Sequence, residues 1–108
     1  MASKRDSQGG TDLLDREKEK NKLQPPPKYT VVFYNDDYTP MDFVVICLVS
    51  FFNKSTEAAV RIMLDVHEKG KGIAGGPYSK EIAETKVSHV MAFAKGNGHP
   101  LKAVAEKA

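Results

Sequence analysis

Tyr29-Thr30-Val31-Val32-Phe33-Tyr34-Asn35-Asp36-Asp37-Tyr38-Thr39-Pro40 reads as a strand, a turn and the start of a helix in quick succession. Residues 29–34 are β-branched and aromatic, the composition of a strand. Asn35-Asp36-Asp37 ends it, because Asn and Asp side chains capture nearby main-chain N–H groups. Thr39-Pro40 then predicts a helix start, with Thr39 as N-cap, Pro40 at the first helical position and Asp42 near the positive end of the dipole. Residues 43–52 are too apolar for periodicity to separate helix from strand, but the start signal and the length argue for helix.

Outward from this stretch, Ser55 predicts the cap of a second helix, which Gly70 ends. A short strand is expected around Ile73, among Gly72, Gly75 and Gly76. Ser79 opens a third helix, where Ala83, Val87, Val90, Met91 and Ala94 form an apolar stripe, and Gly96-Asn97-Gly98 closes it. Residues 101–106 form a last strand. The expected order is β-α-α-β-α-β, an α+β fold with three helices packed on a three-stranded antiparallel sheet.

Toward the N-terminus the composition changes near Lys28. Residues 1–27 carry apolar side chains only at Met1, Ala2, Leu13, Leu14 and Leu23. So few cannot offset the entropy of ordering, so this segment is expected to be a disordered tail on a core of residues 28–108. Residues 12–22 can form a transient helix, which Pro25-Pro26-Pro27 stops and stiffens.

The whole chain has 108 residues, 41% hydrophobic and 28% charged, enough for one domain plus a tail. A core of this size is marginally stable, and any cleft in it is shallow. The net charge is +2, with Lys and Arg interleaved among Asp and Glu, so no basic stripe suggests a nucleic-acid partner. The single cysteine, Cys47, lies in an apolar run, which leaves neither a disulfide framework nor a thiol metal cluster. No stretch is apolar and long enough to span a membrane, and residues 1–6 lack the apolar centre of a signal peptide. The expectation is a soluble protein of a reducing compartment.

Asn35, Asp36, Asp37 and His67 are the residues with chemical potential. The first three lie at a strand end. Met63, Val66 and His67 are spaced i, i+3, i+4 and so share a helix face. If the loop meets that face, an apolar pocket with a polar rim results. The plainer readings are a turn for residues 35–37, a helix-end histidine for His67 and core for Met63 and Val66. Asp36, Asp37 and His67 also resemble part of a metal site, though tight sites need three or four ligands in defined geometry. As an acid–base pair they would serve a hydrolase. No nucleophile motif or oxyanion loop accompanies them, which argues against an enzyme.

Residues 35–44, Asn-Asp-Asp-Tyr-Thr-Pro-Met-Asp-Phe-Val, resemble the signature of the ClpS adaptor family. Phe51-Phe52, Met63-Leu64-Asp65-Val66-His67, Ala83-Glu84-Thr85-Lys86-Val87 and His99-Pro100-Leu101 follow in the family's order. The resemblance runs from Pro26 to the C-terminus and implies the same α+β fold. It implies an adaptor that recognises N-degron substrates by an N-terminal Leu, Phe, Tyr or Trp and delivers them to a AAA+ unfoldase, ClpA or ClpC. Asn35, Asp36 and His67 match the positions that hold the substrate's amine, a cation with three donors. Asp37, Thr39, Met41, Val44, Met63, Val66 and Leu101 match the pocket for its side chain. Met41 corresponds to a gate against β-branched residues, which are stiff at χ1. Glu81 and Lys86 match the face that docks on the unfoldase N-terminal domain, and the tail matches an extension engaged during delivery. The family implies neither a cofactor nor a metal, and places the protein in the cytoplasm or an organelle stroma of bacterial origin.

The chain also departs from that pattern. Gly72-Ile73-Ala74-Gly75-Gly76-Pro77-Tyr78 lacks a cysteine common in the family and is one residue longer, which bears on the geometry of the second strand. Ile46 and Val49 stand where polar, solvent-facing residues are expected, sharing a face with Asp42 and Asn53. Two alternatives stay open: a domain that docks on an unfoldase and modulates it without selecting N-termini, and a metal-dependent hydrolase.

Overall fold

The computed structural model describes residues 24–108. The elements are β1 (Tyr29–Tyr34), α1 (Met41–Phe52), α2 (Thr56–Lys69), β2 (Lys71–Tyr78), α3 (Lys80–Gly96) and β3 (Lys102–Lys107). The expected order and class are those observed. The transient helix at residues 12–22 and most of the expected tail lie outside the described residues. Residues 24–28 are exposed and without regular structure.

β1 is the central strand of an antiparallel sheet ordered β2-β1-β3. Strand alternation sends Val31 and Phe33, both 0% exposed, into the core. Val32 faces the other side, between its cross-strand partners Ile73 and Val104. The β1–β3 register is unbroken from Tyr29↔Lys107 to Tyr34↔Lys102.

β2 departs from the short strand expected around Ile73. It has eight residues against six in β1, and the register slips twice, between Tyr29 and Val31 and between Val31 and Val32. Bulges of this kind absorb extra residues without breaking the sheet. Gly76 sits in one of these irregularities at φ +120°, a region closed to L side chains, and the Gly76–Pro77 peptide is cis. The extra length therefore leaves the start of α3 where Ser79 puts it. The Ser79 hydroxyl accepts from the Ile82 N–H, as that of Ser55 accepts from Ala58 in α2.

The start of α1 differs from the expectation. Pro40, not Thr39, is the N-cap, and no side chain caps the helix. The Thr39 hydroxyl instead donates to Asp36 Oδ2 at 2.8 Å, a local bond that competes with capping. Asp42 still lies in the first turn, where its Oδ1 accepts from the Phe43 N–H at 2.9 Å.

Phe43, Val44, Cys47, Leu48 and Phe52 of α1 face Val66 of α2 and Ala83, Val90 and Ala94 of α3 over the sheet. Phe33 meets Phe52 edge-on at 5.5 Å, and Phe43 stacks on Phe93 at 5.3 Å. Burying Phe33, Phe43 and Phe52 contributes about 1.5–3 kcal/mol each. Met91, placed in the α3 stripe from its spacing, is 39% exposed, and its sulfur accepts from the Ala103 N–H at 3.4 Å. Ile46 and Val49 project outward, 48% and 40% exposed.

Candidate functional site

The turn after β1 and the C-terminal half of α2 meet over the N-terminal turns of α1. Their meeting is fixed in the main chain: the Asn35 N–H donates to the Gly70 carbonyl at 2.9 Å. Gly70 caps α2 at φ +88°, which only glycine adopts cheaply, and its own N–H returns to Val66. Between these segments lies a cavity of about 240 Å³ lined by Asn35, Asp36, Asp37, Thr39, Met41, Val44, Met63, Val66 and His67. That is below the roughly 300–1,000 Å³ of a drug-type pocket and suits a single side chain.

Val44 and Val66, 6% and 3% exposed, belong to the core and form the floor, with Met63 half-buried beside them. Met41, 43% exposed, stands at the mouth. The rim is polar, with Asn35, Asp37 and His67 exposed. All the residues expected to hold an amine or line a pocket therefore surround one cavity, except Leu101. Leu101 is 5% exposed and part of the core cluster, outside the cavity lining. Its position just before β3 turns it into the helix–sheet interior.

Asp36 does two things at once. Its Oδ1 accepts from the N–H groups of Tyr38 at 2.8 Å and Thr39 at 2.7 Å, and its Oδ2 from the Thr39 hydroxyl. An ionised carboxylate offers about four acceptor sites, so this turn uses three of them. Burial alone would raise the Asp36 carboxyl. The Thr39 hydroxyl, the two amides and the charge of His99 outweigh burial and hold it below its ordinary value. The cavity mouth therefore keeps a carboxylate that stays charged, with acceptor capacity left for a cation. An apolar floor under an acceptor-rich, anionic rim can take a side chain below and an ammonium group above.

The two expected docking residues lie on α3. Glu81 is exposed in its first turn and lines a shallow groove with Ile82, Thr85, Lys86 and His89. Lys86 is engaged within the molecule. Its Nζ donates to the Phe51 carbonyl at 2.9 Å and lies 5.5 Å from the ring centres of both Phe52 and Tyr78. It ties α3 to the last turn of α1, a role its sequence position does not announce.

Among the described residues no three His, Cys, Asp or Glu side chains converge so as to hold a metal ion. Cys47 is 0% exposed, and burial pushes its thiol up to about 11, so it is a poor nucleophile. No helix among the described residues is long and apolar enough to cross a membrane. Sequence reasoning assigned no role to Tyr38 and His99, although both stand in the quoted motifs. His99 packs edge-on against Phe43 at 4.5 Å, a contact across more than fifty residues of chain that no local pattern signals.

A model of the family described as ATP-dependent Clp protease adaptor protein ClpS matches residues 24–104. The chain belongs to the ClpS family. It is 52% identical over 99 residues to a ClpS of Albidiferax ferrireducens, covering 92% of this chain and 80% of that one. With a ClpS of Paraburkholderia xenovorans it shares 47% over the full length of both. Both relatives are named ATP-dependent Clp protease adapter protein ClpS. Among solved structures, Agrobacterium tumefaciens ClpS2 bound to L-phenylalaninamide superposes with a TM-score of 0.74. It is 33% identical, covering 78% of this chain and all of that one. A ClpS is an adaptor of the Clp protease, and the sheet, helices and cavity described above are this chain's version of that fold.

Proposed function

We propose that this ClpS captures proteins whose first residue is Leu, Phe, Tyr or Trp and delivers them to a AAA+ unfoldase, ClpA or ClpC. The observation that carries this reading is the cavity, in which three separate segments bring an apolar floor under an anionic rim. In this reading the N-terminal side chain enters between Met41, Val44, Met63 and Val66. The free α-amino group donates to Asn35, to the remaining acceptor capacity of Asp36 and to His67. Burying a Leu or Phe side chain there contributes about 1.5–3 kcal/mol, and each charge-assisted bond a similar amount. The relative solved with L-phenylalaninamide supports the reading, since that molecule is an aromatic residue with a free amine. Glu81 supplies charge to the groove on α3 for docking, where complementarity sets orientation and rate more than affinity. The residues before Lys28 serve delivery.

Calorimetry with short peptides beginning with Leu, N-acetyl-Leu and Ser tests this reading. Binding of the first alone is expected. Equal binding of the acetylated peptide would leave a domain that docks on the unfoldase without reading N-termini, with Asp36 serving only its turn. Removal of residues 1–27 is expected to leave peptide affinity intact and to slow degradation of a Leu-initiated substrate.

A further inference from the structure

Next to the cavity runs a second, wider concavity, a furrow lined by Tyr38, Lys95, Gly98, His99 and Pro100. Tyr38 is 79% exposed, more than any other large apolar side chain among the described residues. Asp36 joins the two hollows. It lines the cavity, and by accepting from the Tyr38 N–H at 2.8 Å it pins that residue's main chain at the cavity's edge. On the opposite wall His99 is braced at 4.5 Å against Phe43, the chain neighbour of the cavity-floor residue Val44. His99 is also close enough for its charge to act on Asp36. The furrow thus has one wall held by the core and the other carrying a free aromatic ring.

Its chemistry selects one class of side chain. Tyr38 and His99 line it with aromatic rings and Pro100 adds an apolar one, a lining that favours a planar partner by stacking or edge contact. Asp36 and Asp37 stand on the cavity side while Lys95 stands at the furrow itself, so the local charges of the two signs offset each other. A charged side chain gains from one and loses to the other, whereas an aromatic one gains from the rings and from the lysine. An extended chain advances about 3.3 Å per residue, which brings residues two and three of a peptide held in the cavity within reach of this edge.

We infer that the furrow is a second subsite, which takes an aromatic side chain at the second or third position of the chain whose first residue occupies the cavity. This rests on the cavity's proposed role and extends it from a one-residue reading to a short N-terminal motif. The test titrates the full-length protein with four peptides, beginning Leu-Ala-Ala, Leu-Phe-Ala, Leu-Ala-Phe and Ser-Ala-Ala. The tighter of the two Phe-containing peptides is expected to bind about three- to tenfold better than Leu-Ala-Ala. In Tyr38→Ala, checked for an unchanged melting profile, that ratio is expected to fall to about one, and in Tyr38→Phe to persist. A ratio of one in the wild type, or one that survives Tyr38→Ala, overturns the subsite while preference for Leu-Ala-Ala over Ser-Ala-Ala still supports the cavity. Loss of that first-position preference overturns both.

Discussion

The cavity and the α3 groove are both surface hollows bordered by charged residues, yet they are built differently. The cavity is walled by three chain segments, floored by core valines and locked by a main-chain bond from Asn35 to Gly70. The groove is one face of a single helix, and its best-placed cation, Lys86, is turned inward onto the Phe51 carbonyl. A hollow shaped by the core holds its geometry before any partner arrives, which lowers the cost of ordering on binding. A helix face offers charge and area but no enclosure, which suits a docking surface more than a selective pocket.

The largest effect expected from breaking this contrast is at Asp36. On the proposed reading Asp36→Ala removes an amine acceptor as well as three bonds that shape the turn, so affinity for a Leu-initiated peptide is expected to drop more than tenfold. Unchanged affinity by calorimetry would confine Asp36 to the turn. Selectivity comes next. Met41 stands at the mouth on a helix start, and on the proposed reading a side chain branched at Cβ would meet it where a γ-branched one would pass below. Displacing it or straining a rotamer costs on the order of 1–3 kcal/mol, so Leu is expected to outbind Ile about tenfold or more. Met41→Ala should narrow that ratio by improving Ile, and an unchanged ratio would move selectivity to Val44 or Met63.

On α3 the two charges are expected to part company. Lys86→Ala should lower unfolding free energy by roughly 1–3 kcal/mol, because it deletes a charged donor to a carbonyl and two ring contacts. Glu81→Ala should stay within about 0.5 kcal/mol and weaken only binding to the unfoldase domain. Equal melting temperatures for the two variants would remove the distinction.

The smallest effect is one of pH. The Asp36 carboxyl is held below its ordinary value in the fold, so the stability it contributes is complete above the ordinary carboxylate range. That contribution is lost as pH falls through the lowered native value. The stability difference between wild type and Asp36→Asn, measured by denaturant titration, should therefore be constant near neutrality and shrink in acid.

How much of this the sequence discloses depends on the range of the interaction. The β-branched run at residues 29–34, the caps Ser55 and Ser79 and the stop at Gly70 act within a few residues, and each is found where local chemistry puts it. The capping of α1 departs from its local signal because Asp36, three residues back, takes the Thr39 hydroxyl. The length of β2 depends on how its glycines bulge against β1, a pairing across some forty residues of chain. Leu101 is legible as apolar, but only the packed core decides that it faces inward and away from the cavity. Lys86 reads as a surface charge until α1 brings the Phe51 carbonyl beneath it. The spacing of Met63, Val66 and His67 put them on one face, while their meeting with residues 35–41 rests on a contact that no periodicity encodes.

The bond from the Asn35 N–H to the Gly70 carbonyl joins the cavity's two lips through atoms that every residue but proline carries. That bond does not depend on which side chains decorate the opening, apart from the glycine that its own φ requires at position 70. Met41 and Met63 can each be exchanged without removing it. A mouth hinged on main chain is a chassis on which mutation can retune taste one residue at a time.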